Sequence, residues 1–544
     1  MEEAMIPILA VQSSERKVRI IGLLLVIILL LCTIIPFFGV TPFYDGISFV
    51  NCFNSGVEQP IFNPLNFRCA GHPFGFLLLI GLTQYIDYQN MMLVHLLNLC
   101  IAVGGIIAFY KLLKLFLPHD TRIEQILLTA MYALAPLTVI HIIQPAFDFG
   151  LMVFFVIFLY FLLTGKRWWA SLIALAVLFT KETGIAVYIG TLSIYALVYI
   201  LTEGKPWKER VRSLINMWPL CIPGLITIAY YAMLPFLLTE NDGIFFPNWK
   251  GGETVSLRNI LDFDISNVSM QAYLKFIFVL NFNWLLSIFV LAFLLIAFFQ
   301  RKKASELLGG RNILFTLFLL LTAVVIVTRF RPYFNPRYIL LSYPVLLLSF
   351  AQALLFFFRK RFMRLSLLLI IFSLIYCSNF RTIDPLSRWT FGTFSVGAKK
   401  MLKIAPSINQ KDALVYNLES TDISYAQEKL IDDLSPDQNH VLFNDVKWTI
   451  VGPARPFLQF RRRFPANIQI TYDQTEITIE GSRKFKDPKL LHYVDYPNFQ
   501  KGEGFEYMKS HYALDSVKTY EHNGFQITLY TFSLPSPEAS IAQP

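Results

Sequence analysis

Long apolar runs fill this chain from residue 18 to residue 379, and short polar breaks separate them. A membrane-spanning helix needs about 20 apolar residues. Runs of that order fall at about 18–40, 91–117, 124–143, 149–165, 168–181, 184–202, 213–237, 272–299, 312–329, 338–358 and 365–379, which predicts about eleven spans. The breaks differ in charge. Lys/Arg clusters occur in "SERKVR", "KLLKLFLPHDTR", "GKR", "GKPWKERVR", "QRKK" and "RKRFMR". When the spans are threaded in order, all of these fall on one side. Basic loops stay cytoplasmic, so the N-terminus is expected inside and the segment after the last span outside.

The other side carries the long segments, 41–90 and 238–271. The first contains "HPFGFLLLIGLTQYI", whose 15 residues are too few to span and suit a re-entrant or interfacial helix. Beyond 379 the pattern changes from long apolar runs to short alternating ones. "ALVYN", "HVLFND", "WTIVG", "ANIQITY", "EITIEG" and "FQITLYTF" read as strands, and "EHNG" as a hairpin turn. The expected fold is a membrane all-α domain over 1–379, followed by a small extracytoplasmic α/β domain over 380–544.

Composition agrees with the pattern. The 544 residues are 55% hydrophobic and only 15% charged, whereas soluble domains carry about 25% charge. The net charge of +10 is accounted for by the inner loops, and no basic, aromatic-interleaved stretch calls for nucleic acid. The N-terminal twenty residues lack a short apolar core with a small-residue cleavage site, so the first run reads as an uncleaved helix. Cys32, Cys100, Cys221 and Cys377 sit in apolar runs and read as core residues. Cys52 and Cys69 share the 41–90 loop and are candidates for a disulfide in an oxidising compartment. No Walker loop, dinucleotide fingerprint, HExxH or CxxC pair occurs, which argues against an energy-coupled pump and against a thiolate zinc site.

Ionisable groups at membrane depth are costly, and each is a functional candidate. Asp45 follows the first span; Arg68 and His72 precede the short apolar stretch; Asp148 lies between the third and fourth spans, and Lys181 with Glu182 between the fifth and sixth. Arg329, Arg331 and Arg337 lie between the ninth and tenth. All of them fall on the outer side. Such cations would hold a lipid phosphate or pyrophosphate, and a carboxylate would serve as general base for a hydroxyl. Plain roles also stay open: helix capping for Asp45 and Asp148, a local ion pair for Lys181 and Glu182, headgroup anchoring for the arginines. Basic residues are disfavoured outside, which weakens the last of these.

In order and sidedness, Asp45, "HPFGFLLL", "ALAPLTVIHIIQPAFDFGLMVFF", "LFTKETG" and "NPRYILLSYP" resemble the GT-C superfamily of polyprenyl-phosphate-sugar-dependent glycosyltransferases. The likeness is to the branch of protein O-mannosyltransferases and bacterial lipid A aminoarabinose transferases, and it covers about residues 18–350. It implies an inverting transfer from a polyprenyl-phosphate sugar donor to a lipid, glycan or protein acceptor. It makes Asp45 the base, has Lys181 and Arg337 neutralise the departing phosphate, and has Asp148 position a substrate. It implies an integral membrane protein, with the bacterial inner membrane the expected location. Two positions depart from the branch. Gly46 follows Asp45 where many relatives have a second acid, and Phe74 replaces the second proline of the His-Pro-Pro-Leu motif. No cofactor is implied with certainty, and a divalent metal stays open. A secondary transporter or flippase is the alternative, and a non-catalytic scaffold a third reading. A transporter would place its charges near the midplane, in repeated halves; here they lie at helix ends on one side.

Overall fold

The structure, a computed structural model, describes residues 2–38, 50, 73, 75–87, 91–118, 121–204, 206–237, 283–329, 337, 340–380, 385–386, 389, 395–396, 399–400, 426–444, 467–471, 474–478, 490–495, 501–522 and 525–533. The chain divides into two compact units, Met1–Gly39 with Cys52–Val415, and Val40–Asn51 with Tyr416–Pro544.

The first unit is helical. Its helices are α1 (Glu2–Ile34), α2 (Gly75–Ile86), α3 (Met91–Phe116), α4 (Arg122–Ala133), α5 (Pro136–Ile143), α6 (Phe147–Leu163), α7 (Arg167–Thr180) and α8 (Thr183–Thr202). They continue as α9 (Trp207–Ile215), α10 (Ile222–Leu237), α11 (Trp284–Phe299), α12 (Arg301–Leu308), α13 (Gly310–Arg329), α14 (Ser342–Phe357) and α15 (Arg361–Cys377). A short ribbon pairs β1 (Ser395–Val396) with β2 (Lys399–Lys400). Among the described residues, three helical segments are long and apolar enough to cross a membrane: Lys17–Phe37, Met91–Phe116 and Thr183–Thr202. Two bent pairs raise the number to five if each counts as one span.

One of those pairs revises the run at 124–143. It is two helices, α4 and α5, bent by 50°. Pro136 has no N–H to continue the ladder, and the carbonyls freed at the break need partners. Met131 O accepts from Tyr343 Oη at 3.0 Å, and Leu134 O from Asn379 Nδ2 at 2.8 Å. The start of α14 and the residues after α15 therefore cap the kink. At the other end of α4, buried Glu124 accepts from Arg364 Nη2 at 3.1 Å, with Arg361 Nε at 3.8 Å. This pair joins two of the breaks that the charge pattern puts on the inner side.

Cys32, Cys100, Cys221 and Cys377, expected in the core, are exposed on the first unit. Apolar residues one turn away, Ile28, Leu96 and Leu225, are exposed as well, so these helix faces suit lipid.

The second unit is built on a five-stranded mixed sheet. Its strands are β3 (His440–Phe443), β4 (Ile468–Thr471), β5 (Leu490–Asp495), β6 (Ala513–His522) and β7 (Phe525–Ser533), in the order β4-β3-β5-β7-β6. β3 pairs in parallel with β4 and β5, and β7 pairs antiparallel with β5 and β6. The expected strands in "HVLFND", "ANIQITY" and "FQITLYTF" are β3, β4 and β7. His522 pairs with Phe525, so "EHNG" closes a hairpin. "EITIEG" differs at its start, where Gln474–Ile477 is a 3-10 turn; residues 479–481 lie outside the described residues. "ALVYN" and "WTIVG" lie outside the described residues. One sheet face packs Val441, Phe443, Leu491, Tyr493 and Phe532 against Phe505 and Met508 of α16 (Glu503–His511).

The opposite sheet face buries an imidazole pair. His440 Nδ1 lies 2.9 Å from His492 Nε2, His440 Nε2 lies 2.9 Å from Ser435 O, and His492 Nδ1 lies 3.1 Å from Thr531 Oγ1. Carbonyls only accept, so His440 carries its proton on Nε2, His492 donates from Nε2, and Thr531 donates to His492 Nδ1. Both rings are then neutral and fully bonded. Burial, helped by the adjacent His440, pushes the pKa of His492 down from 6.5 to about 3. The unfolded chain takes up this proton near pH 6.5, so it binds more protons than the folded one below that value. Stability is intact above pH 6.5 and falls as pH drops towards 3. Hydrogen exchange on the whole protein should show β3 and β5 losing about 2–3 kcal/mol of protection between pH 7 and pH 4.5. Unchanged protection would show that the pair accepts a proton without cost.

Candidate functional site

α6 and α7 form an antiparallel hairpin whose turn is Gly165, at φ 71°. A side chain there would be strained. Asp148 lies seventeen residues before this glycine and Lys181 sixteen after it, so the hairpin sets them side by side at its open end. Asp148 falls in the first turn of α6, where the helix dipole favours a carboxylate. Lys181 is the extended residue that ends α7, and with Glu182 it makes the tight link into α8. Lys181 Nζ donates to Asp148 Oδ1 at 2.7 Å. Arg337 Nε, from the segment ahead of α14, lies 3.5 Å from Asp148 Oδ2. All three side chains are largely buried, between 7% and 12% exposed. One buried carboxylate thus holds two cations side by side.

The expected site residues divide accordingly. Asp148, Lys181 and Arg337 are brought together. Glu182 is the half-buried N-cap residue of α8, where its charge suits the dipole. Arg329 is the last residue of α13. Asp45, Arg68, His72 and Arg331 lie outside the described residues, as do Cys52 and Cys69 of the expected disulfide.

The motif glycines have packing roles. Gly184 N donates to Lys181 O at 2.8 Å, and a Cβ on Gly184 would run into the Val177 carbonyl oxygen. Gly75, in the "HPFGF" stretch, opens α2 against the end of α7: a Cβ there would lie 2.6 Å from Phe179 O and 2.9 Å from Phe179 Cβ. Phe76 then meets Phe147 edge-on, with ring centroids 6.1 Å apart. Three motifs far apart in sequence therefore interlock beside Lys181. Gly75→Val should push α2 off α7 and lower stability by about 1–3 kcal/mol, read as a lower thermal midpoint; an unchanged midpoint would show that the two helices do not pack this closely.

Two buried residues in α3 escaped the sequence reading. His95 Nδ1 lies 2.9 Å from Phe38 O, and Asn98 Nδ2 donates to Ile142 O at 3.2 Å. Three residues apart, they share one helix face. That face grips the chain just after α1, ahead of the segment carrying Asp45, and the end of α5, ahead of Asp148. The available signal was "VHLLN", two polar residues one turn apart in an apolar run.

The two clusters of ion pairs lie at opposite ends of the first unit. α4 and α5 lead from Glu124 to the approach of Asp148, and α14 leads from beside Arg337 to the approach of Arg361 and Arg364. α14 has 16 residues, a rise of about 24 Å.

No protein-family model matches the chain, and no curated protein does. Among solved structures it is similar to ArnT from Cupriavidus metallidurans bound to undecaprenyl phosphate, at 13% identity and TM-score 0.51, over 95% of this chain and 98% of that one. The apo state of ArnT gives 13% identity and TM-score 0.48, over 98% and 100%. The archaeal oligosaccharyltransferase AglB from Archaeoglobus fulgidus, in complex with an inhibitory peptide and a dolichol-phosphate, gives 11% and 0.47, over 96% and 75%. Neither of the latter two reaches a TM-score of 0.5, and neither adds weight. At such identity the likeness to ArnT is one of fold.

Proposed function

We propose that this chain is an integral-membrane glycosyltransferase with about eleven spans, moving a sugar from a polyprenyl-phosphate donor to an acceptor hydroxyl on the extracytoplasmic face. The observation that carries the reading is the buried contact of Lys181 and Arg337 with Asp148, two cations held at one end of a GT-C fold. Ammonium and guanidinium groups are the partners a phosphate takes, and the phosphate charge grows as the sugar leaves. The ArnT structure of the same fold was solved with undecaprenyl phosphate bound, which supports a lipid phosphate as the donor carrier.

In the proposed reaction the Asp45 carboxylate takes the acceptor's hydroxyl proton. The acceptor oxygen attacks the anomeric carbon from the face opposite the phosphate. The bond from that carbon to the phosphate oxygen breaks, and both its electrons leave with polyprenyl phosphate. Lys181 and Arg337 offset the charge that develops, which is where such groups help a rate most; Arg329 and Arg331 add to the same field. Asp148 sets the two cations in place. Arg68, His72 and Glu182 are assigned to the rim, and a Cys52–Cys69 disulfide would pin the first outer loop.

A donor screen tests the reading. Purified protein is offered synthetic polyprenyl-phosphate sugars with membrane lipids as acceptors, and release of polyprenyl phosphate is measured. Release from one donor class supports the assignment. No release from any donor, alongside flux of a donor across sealed vesicles, would favour the flippase.

A further inference from the structure

α9 is a short amphipathic helix whose apolar face is exposed at both ends. At 100° per residue, Trp207, Val211, Leu214 and Ile215 share one arc. Lys208 and Arg210 border that arc, Arg212 stands about 60° beyond it, and Glu209 lies on the far side. Trp207 is 62% exposed and Ile215 66% exposed, so both ends of the apolar face are largely open. A helix in water would turn this face onto its own protein.

The surroundings repeat the chemistry. Trp168, Trp169 and Trp218 are also exposed, and Trp168 meets Trp218 edge-on with centroids 5.6 Å apart. The helix is held at its middle and just past its end: Arg210 Nη1 donates to Ile200 O at 2.5 Å, and Arg167 Nη1 to Asn216 O at 2.7 Å. Lys166, Lys208 and Arg212 are exposed. All of this lies one helix length from the candidate site, because α7 runs from Arg167 to Lys181 and α8 leads from Lys181 back towards α9. The 20 residues of α8 rise about 30 Å, the thickness of a bilayer core. Exposed tryptophans belong at a membrane interface, and cations beside an apolar helix face suit anionic headgroups.

We infer that α9, with Trp168, Trp169 and Trp218, is an interfacial foot that binds anionic phospholipid of the leaflet opposite the candidate site. Its apolar face enters the acyl boundary, and Lys208 and Arg212 pair with lipid phosphate. Glu209 is the opposing charge on the same helix.

The test places the photo-cross-linker p-benzoylphenylalanine at Trp207 in the full chain, in vesicles of equimolar phosphatidylglycerol and phosphatidylcholine. Each cation near an anionic surface is worth about fivefold in partitioning. Lipid adducts should therefore favour phosphatidylglycerol by at least about tenfold. Lys208→Gln with Arg212→Gln should bring the ratio near one, and Glu209→Lys should raise it by about fivefold. Equal yields of the two lipids in the unaltered helix would overturn the anionic assignment. A ratio unmoved by either set of substitutions would do the same. No lipid adduct, or an adduct only to a second copy of the chain, would show that something other than the bilayer covers α9.

Discussion

Asp45→Asn is expected to lower sugar transfer by at least about a hundredfold, since general-base assistance is worth about 10²–10⁴ in rate. The substitution keeps the shape of the side chain and removes its basicity. Donor binding should be unaffected, because the proposed phosphate ligands are Lys181 and Arg337. Binding of a labelled polyprenyl phosphate and single-turnover transfer separate the two effects. Lys181→Ala should show the converse, with weaker lipid-phosphate binding of about tenfold or more, as a charge-assisted hydrogen bond is worth about 1.5–3 kcal/mol. If Asp45→Asn expresses normally and turns over at the wild-type rate, Asp45 is a loop acid and the base lies elsewhere.

Asp148→Asn should destabilise the protein by about 3–5 kcal/mol, the cost of stripping a buried ionic contact of one partner. Asp148 lies between Lys181 Nζ at 2.7 Å and Arg337 Nε at 3.5 Å. Without its charge, each cation loses a buried carboxylate contact where water screens charge poorly. An anion supplied from outside should offset part of that cost. Polyprenyl phosphate should therefore raise the thermal midpoint of Asp148→Asn by more than it raises the wild type, while an uncharged polyprenol should not discriminate. A variant as stable as the wild type in the absence of lipid would show that neither cation relies on Asp148. Equal increments with polyprenyl phosphate would separate the triad from the proposed donor site.

The sequence by itself carried the apolar runs from which most helices form, and the expectation of which helix ends share a side. Apolar length and the placement of Lys and Arg are properties of the chain alone, because the bilayer sets the first and the inner leaflet the second. It also contained the meeting of Asp148 and Lys181, which stand almost equally far from the turn at Gly165. The strands β3, β4 and β7 were legible as alternating runs, and the hairpin from its Asn-Gly turn. Tertiary structure decided the rest. Arg337 joins Asp148 across a long sequence separation, and no local pattern names its partner. The need for glycine at 75 and 184 shows only when Phe179 and Val177 come against them. His440 and His492 meet only once β3 and β5 pair in parallel register. The four apolar-run cysteines turned out exposed for a related reason. In lipid, the outward face of a helix is as apolar as its packed face, so hydropathy marks the span while leaving unmarked which residues touch protein and which touch membrane.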